Sequence, residues 1–255
     1  MGIVNVTDDS FSDGGRFRDP RRAIERGLSL AADGADLVDV GGESTRPGAQ
    51  PVPADEELRR VIPVIEALAR EGVPVSVDTS KPEVMRAAIA AGAAVVNDVN
   101  GFREPGALEA VRDRDVGLVA MHMQGSPRTM QEDPRYGDVA AEVGDFLLER
   151  ARSLESAGIA RARIALDPGF GFGKKLEHNV ALFRALAALA GMGYPLLVGL
   201  SRKRMLGDIT GRGLEERTAA SVAAALLAAQ NGAQVVRVHD VKETVDAMKV
   251  WQALR

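Results

Sequence analysis

Apolar residues fall in short runs along this chain, and each run stops on a polar or charged side chain. Residues 73–78 close on Asp78, 94–98 on Asn97 and Asp98, and 164–167 on Asp167; 195–203 lead into Ser201 and Lys203, and 235–239 carry Arg237 and His239. The runs predict strands at 2–6, 36–40, 74–78, 94–99, 117–122, 163–167, 195–200 and 235–239. Between them, amphipathic segments predict helices at 21–33, 54–70, 82–91, 139–157, 176–190, 215–231 and 241–254. Gly34, Gly72, Gly92, Gly158, Gly193 and Gly232 each lie just past an expected helix, where a left-handed cap suits glycine.

A strand followed by a helix, repeated from end to end, predicts an α/β fold with parallel strands and right-handed crossovers. Eight such units close most naturally into a single (β/α)8 TIM barrel over residues 1–255. An open doubly wound sheet is the competing arrangement, and it also places ligands at the strand carboxyl ends. Long connections are expected after strands 1, 2 and 5, at 7–19, 41–53 and 123–137. In such folds long loops after strands are usually functional. A shared rim would bring the polar run ends into one small volume, although they lie far apart in sequence.

Composition narrows the function classes. The chain has 255 residues, 45% hydrophobic and 27% charged, which suits a globular protein with a sizeable core. A net charge of −4 offers no basic field for nucleic acid. Cysteine is absent, which removes disulfides, thiol nucleophiles and thiolate metal sites. Neither a signal peptide nor a membrane-spanning apolar run is visible, so the expected location is the cytoplasm, with no membrane partner.

Candidate chemistry follows the run ends. Arg237 and His239 alternate with valines, so they share one strand face and could clamp an anion. Lys203 and Ser201 lie in a strand-seven loop, where barrels often hold phosphate, whereas Arg202 and Arg204 read as a solvated face. Asp78, Asn97 and Asp167 suit a flat heterocycle with ring N–H and amino groups; metal binding and, for Asp78, a helix cap are the alternatives. Two polar loops, 5–15 and 41–49, could shield an ionised intermediate from water. The glycine-rich run 169–173 lacks the spacing of a phosphate loop, and His122 and His178 lack the spacing of a zinc site.

At these residues the chain resembles the dihydropteroate synthase family, enzymes of folate biosynthesis, over essentially its whole length. The matching stretches are 5–15, 39–48, 75–79, 96–98, 167–173, 199–204 and 237–239. The resemblance implies a transferase that joins p-aminobenzoate to a dihydropterin methyl diphosphate, requires Mg²⁺, and is a sulfonamide target. It further implies that Asp78, Asn97, Asp167 and Lys203 hold the pterin, with Met121 lining the pocket. By the same resemblance Asn5, Thr45, Arg237 and His239 bind the diphosphate, Asn5 also through Mg²⁺. Phe11, Arg46, Pro47, Phe172 and Ser201 would form the p-aminobenzoate site. A homodimer through the late helices is implied as well. Asp8 and Arg204 depart from the pattern, since relatives often carry proline and serine there. A pterin-binding methyltransferase domain and a non-catalytic pterin binder are the alternatives, and only a synthase would release diphosphate.

Overall fold

A computed structural model describes residues 1–7, 20–46 and 48–254 of the chain. Asp8, Phe11 and Pro47 therefore lie outside the described residues. Six strands form one parallel sheet in chain order: β1 (Gly2–Asn5), β2 (Val38–Gly41), β3 (Val75–Asp78), β4 (Val95–Asp98), β5 (Gly117–Met121) and β6 (Ile164–Asp167). Two shorter strands, β7 (Leu197–Val198) and β8 (Val235–Val236), pair in parallel with each other. Single parallel bridges link Leu166 to Leu196 and Gly2 to Val238, so β7 lies beside β6 and the segment after β8 lies beside β1. The amide of Ile3 donates to Val238 O (3.1 Å), and that of Val238 donates to Met1 O (2.9 Å).

The helices follow the alternation: α1 (Pro20–Ala32), α2 (Ala54–Arg70), α3 (Pro82–Ala90), α4 (Ala107–Val111), α5 (Val139–Ser156), α6 (Leu176–Arg184), α7 (Leu186–Ala190), α8 (Arg204–Thr210), α9 (Thr218–Gln230) and α10 (Val241–Leu254). Local signals set their ends. Proline opens α3, where its missing N–H costs nothing. Asp138 caps α5 by accepting from the amides of Ala140 and Ala141. The six glycines expected past helices all take positive φ, between 75° and 106°. The core lies between sheet and helices: Val38, Val40, Val75, Val77 and Val96 are fully buried against Leu30, Ile65, Leu68 and Met85.

Three expectations change in detail. The predicted helix 176–190 breaks at Ala185 into α6 and α7. The predicted helix 215–231 starts at Thr218, after a 3₁₀ turn over Leu214–Glu216, and Arg217 between the two donates to the carbonyls of Arg202 and Arg212. Helices α4 and α8, the latter following directly on Lys203, were not anticipated. Among the described residues no helix is long and apolar enough to cross a membrane.

Candidate active site

Alternation along the strands decides which polar residues meet. In register, Asn5 lies opposite Gly41, Gly41 opposite Asp78, and Asp78 opposite Asn97. Asp39 and Ser76, two positions earlier on β2 and β3, share that face and are fully buried. Asp98 points the other way and accepts from the amides of Asn100 (2.8 Å) and Phe102 (2.6 Å), so it shapes the turn after β4 rather than the site.

From beyond β8, Arg237 reaches into this face. Its Nε donates to Asp39 Oδ2 at 2.6 Å and its Nη2 to Asp78 Oδ2 at 2.8 Å. Asn97 Nδ2 donates to the same Asp39 oxygen at 3.3 Å. One guanidinium thus sits between two carboxylates and an amide. The helix-cap alternative for Asp78 is excluded, since the residue capping α3 is Lys81 and no side chain caps it.

Asp167, opposite Met121 in the register of β5 and β6, accepts from the Gly169 amide at 2.7 Å. Burial raises its carboxyl pKa, opposed by the nearby Lys203. Lys203 Nζ donates to Phe170 O and stands 4.5 Å from the centre of the Phe172 ring. Burial lowers its ammonium to about 8, against the pull of Asp167. Burial lifts Asp78 to about 7; Arg237 opposes the shift and Asp39 adds to it. Phe172 packs on a small apolar cluster of Val99, Met121, Met123 and Met130. Acids, amide and ammonium on one side and soft apolar side chains on the other suit a flat polar ring.

Ser201 and His239 meet at the edge, with Oγ 2.9 Å from Nδ1. Burial, then Arg237, hold the imidazole at about 4, so His239 is neutral near pH 7 and acts as a polar partner rather than a second cation. Arg46 is exposed on the loop after β2, and its charge acts on His239. Thr45, beside it, and Asn5, closing β1, are half-buried.

Reading Arg202 as part of a solvated face fails. It takes φ 58° and donates to both carboxylate oxygens of Asp240, at 2.6 and 3.1 Å. Arg204, by contrast, is 92% exposed at its side chain. Two participants escaped the sequence reading: Asp39, whose signal was a lone acid between valines in a buried strand, and Lys174, taken up below. Among the described residues no three His, Cys, Asp or Glu side chains are grouped to hold a metal. The acids are otherwise engaged, Asp39 and Asp78 by Arg237 and Asp167 by Gly169.

Comparison with known proteins then fixes the family. The sequence pattern of the pterin binding enzyme family matches residues 1–239. The chain belongs to the pterin-binding enzyme family. Within it, the chain is 52% identical over 254 residues to dihydropteroate synthase of Escherichia coli (strain K12), covering 99% of this chain and 90% of that one. A solved Xanthomonas albilineans dihydropteroate synthase with 4-aminobenzoic acid is 58% identical, with a TM-score of 0.94, covering 100% of this chain and 92% of that one. Burkholderia cenocepacia dihydropteroate synthase complexed with 7,8-dihydropteroate is 55% identical, with a TM-score of 0.92, covering 100% and 90%. These pterin-binding relatives extend over both the strand ends that carry the polar cluster and the helices that support them.

Proposed function

We propose that this protein is a dihydropteroate synthase, a transferase that joins p-aminobenzoate to a dihydropterin methyl diphosphate and releases diphosphate. The observation that carries the reading is the cluster of Asp78, Asn97, Asp167, Lys203 and Arg237 at the strand ends, in a chain related over its full length to such enzymes. Asp78, Asn97, Asp167 and Lys203 hold the pterin, with Met121 against its face. Arg237, His239, Thr45 and Asn5 receive the diphosphate. Ser201, Arg46 and Phe172, with Phe11 and Pro47, form the p-aminobenzoate site.

In the reaction the bond from the pterin methyl carbon to the diphosphate oxygen breaks, and its electron pair leaves with diphosphate. The pterin ring spreads the resulting positive charge, which the Asp78 carboxylate stabilises across a short distance in a site of low dielectric. The arylamine nitrogen forms the new bond and then loses a proton; an arylamine needs no strong base and no covalent enzyme intermediate arises. Arg237 and Lys203 favour departure of the anion. Mg²⁺ would neutralise charge on the diphosphate. The donor set fits that role: among the described residues no three acids are grouped around an ion, and Asn5 would add one oxygen to an Mg²⁺ that otherwise keeps phosphate and water ligands, as it prefers.

The reading extends to the whole chain: one (β/α)8 barrel domain over residues 1–255, supported by the bridges on either side of the β7–β8 pair. It also includes a cytoplasmic homodimer joined through its late helices, where Leu227, Val250 and Leu254 stand exposed. Neither nucleic acid nor membrane is a partner. The deciding experiment mixes the protein with both substrates, with and without Mg²⁺, and follows diphosphate. Mg²⁺-dependent release that needs both substrates is expected; no release would defeat the assignment.

A further inference from the structure

The glycine-rich run 169–173 has no phosphate-loop spacing, yet its geometry is tightly determined. Its carbonyls wrap two ammonium groups. Lys174, only 3% exposed, donates from Nζ to Gly169 O (2.9 Å), to Phe172 O (3.1 Å) and to Nδ1 of His122 (2.9 Å). Burial, then the neighbouring Lys203, lower this ammonium to about 7, and in its charged form all three of its protons are engaged. Of the two carbonyls between those, Phe170 O accepts from Lys203 and Gly171 O from Gln131. Side chains are excluded at two of its positions: a Cβ on Gly169 would collide with His122 O, and one on Gly173 would lie 2.5 Å from Gln124 O.

We propose that Lys174 is a positioning residue for the reaction: buried beneath the turn, its ammonium fixes the 169–172 backbone so that the Phe172 ring and the Phe170 carbonyl hold Lys203 in the site. This rests on the synthase reading, and it gives the glycine-rich run a task. The turn joins the pterin side of the site, through Asp167 and Lys203, to the p-aminobenzoate side, through Phe172. His122 serves as a neutral acceptor, packed edge-on against Phe146 at 4.9 Å. Burial lowers its pKa to about 3, which agrees with that role. The loop after β5 secures the outer side, with Gln131 donating to Gly171 O (2.6 Å) and Tyr136 to Gly173 O (2.8 Å).

Lys174→Met keeps the length of the side chain and removes the ammonium. It also leaves the Gly169 and Phe172 carbonyls and His122 Nδ1 without that donor, which lowers stability. The expected outcome is a lowered unfolding midpoint and, per folded protein, kcat/KM for p-aminobenzoate lowered about 10- to 100-fold, mainly through KM, as a displaced site wall costs. Lys174→Gln, which can still donate to one carbonyl, should fall between the two, and it provides the measurement if the methionine variant folds poorly. Catalysis within twofold of the parent in a folded variant would overturn the inference alone. Loss of activity in strict proportion to loss of folded protein would overturn it too. A parent protein that releases no diphosphate would overturn the functional reading and this inference together.

Discussion

Arg237 lies between two acids, so a net negative charge remains in a buried place. Burial above all, with Asp39 adding to it against the pull of Arg237, pushes the Asp78 carboxyl up to about 7 from its ordinary value near 3.8. Because the folded pKa is raised, this group's contribution to stability is complete below its unfolded value and fades as pH climbs through about 7. For catalysis the ionised form is needed, so kcat/KM should rise with pH through about 7. It should fall again through about 8 as Lys203 loses its proton. Steady-state kinetics across this range should give a narrow bell; Asp78→Asn should abolish its acid limb and most of the activity, and an unchanged profile would contradict the assigned role. Asp78, Asp167 and Lys203 were legible in the sequence because each ends an apolar run. Asp39 was not, since an acid inside a run gives no sign of its partner until Arg237 arrives from the last strand. His239 was legible as a position but not as a neutral group, because its protonation follows from burial beside Arg237.

At the scale of elements, the regular part of the fold was readable and the irregular part was not. Strand and helix periods predicted the first three units and the fifth closely, since each buries a continuous apolar face, whereas the short α4 was missed and the sixth helix breaks at Ala185. Helix α8 is a short element directly after Lys203, and α9 starts late, after a 3₁₀ turn, where Arg217 donates back to the Arg202 carbonyl, a contact that apolar periodicity does not encode. The glycine-rich turn likewise takes its meaning from Lys174 and His122. A pair of substitutions separates backbone strain from close contact. Gly72→Ala, at φ 75° with nothing near its Cβ position, should lower stability by about 1–2 kcal/mol in urea denaturation. Gly169→Ala, also at positive φ (66°), adds a collision with His122 O and should lose clearly more, together with p-aminobenzoate turnover. Equal losses in the two variants would mean that the turn yields without cost.

For the whole molecule, the seam between β1 and the segment after β8 decides whether the sheet closes. Amide exchange at Ile3 and Val238, which bond across it, should be as slow as at Val77 and Val96 in the middle of the sheet. Rapid exchange at the seam alone would favour an open sheet. The exposed apolar residues of α9 and α10 give a second test at this scale: Leu227→Asp with Val250→Asp should yield a folded monomer in sedimentation, with an unfolding midpoint lowered by the lost association. A parent protein already sedimenting as a monomer would remove the dimer. Finally, Arg237 meets partners 198 and 159 positions before it. During synthesis, Asp39 and Asp78 leave the ribosome long before their counter-ion does, and a buried acid pair without it is unfavourable. The nascent chain must therefore wait for its last stretch before it can complete the pocket, and prematurely terminated products will hold neither substrate.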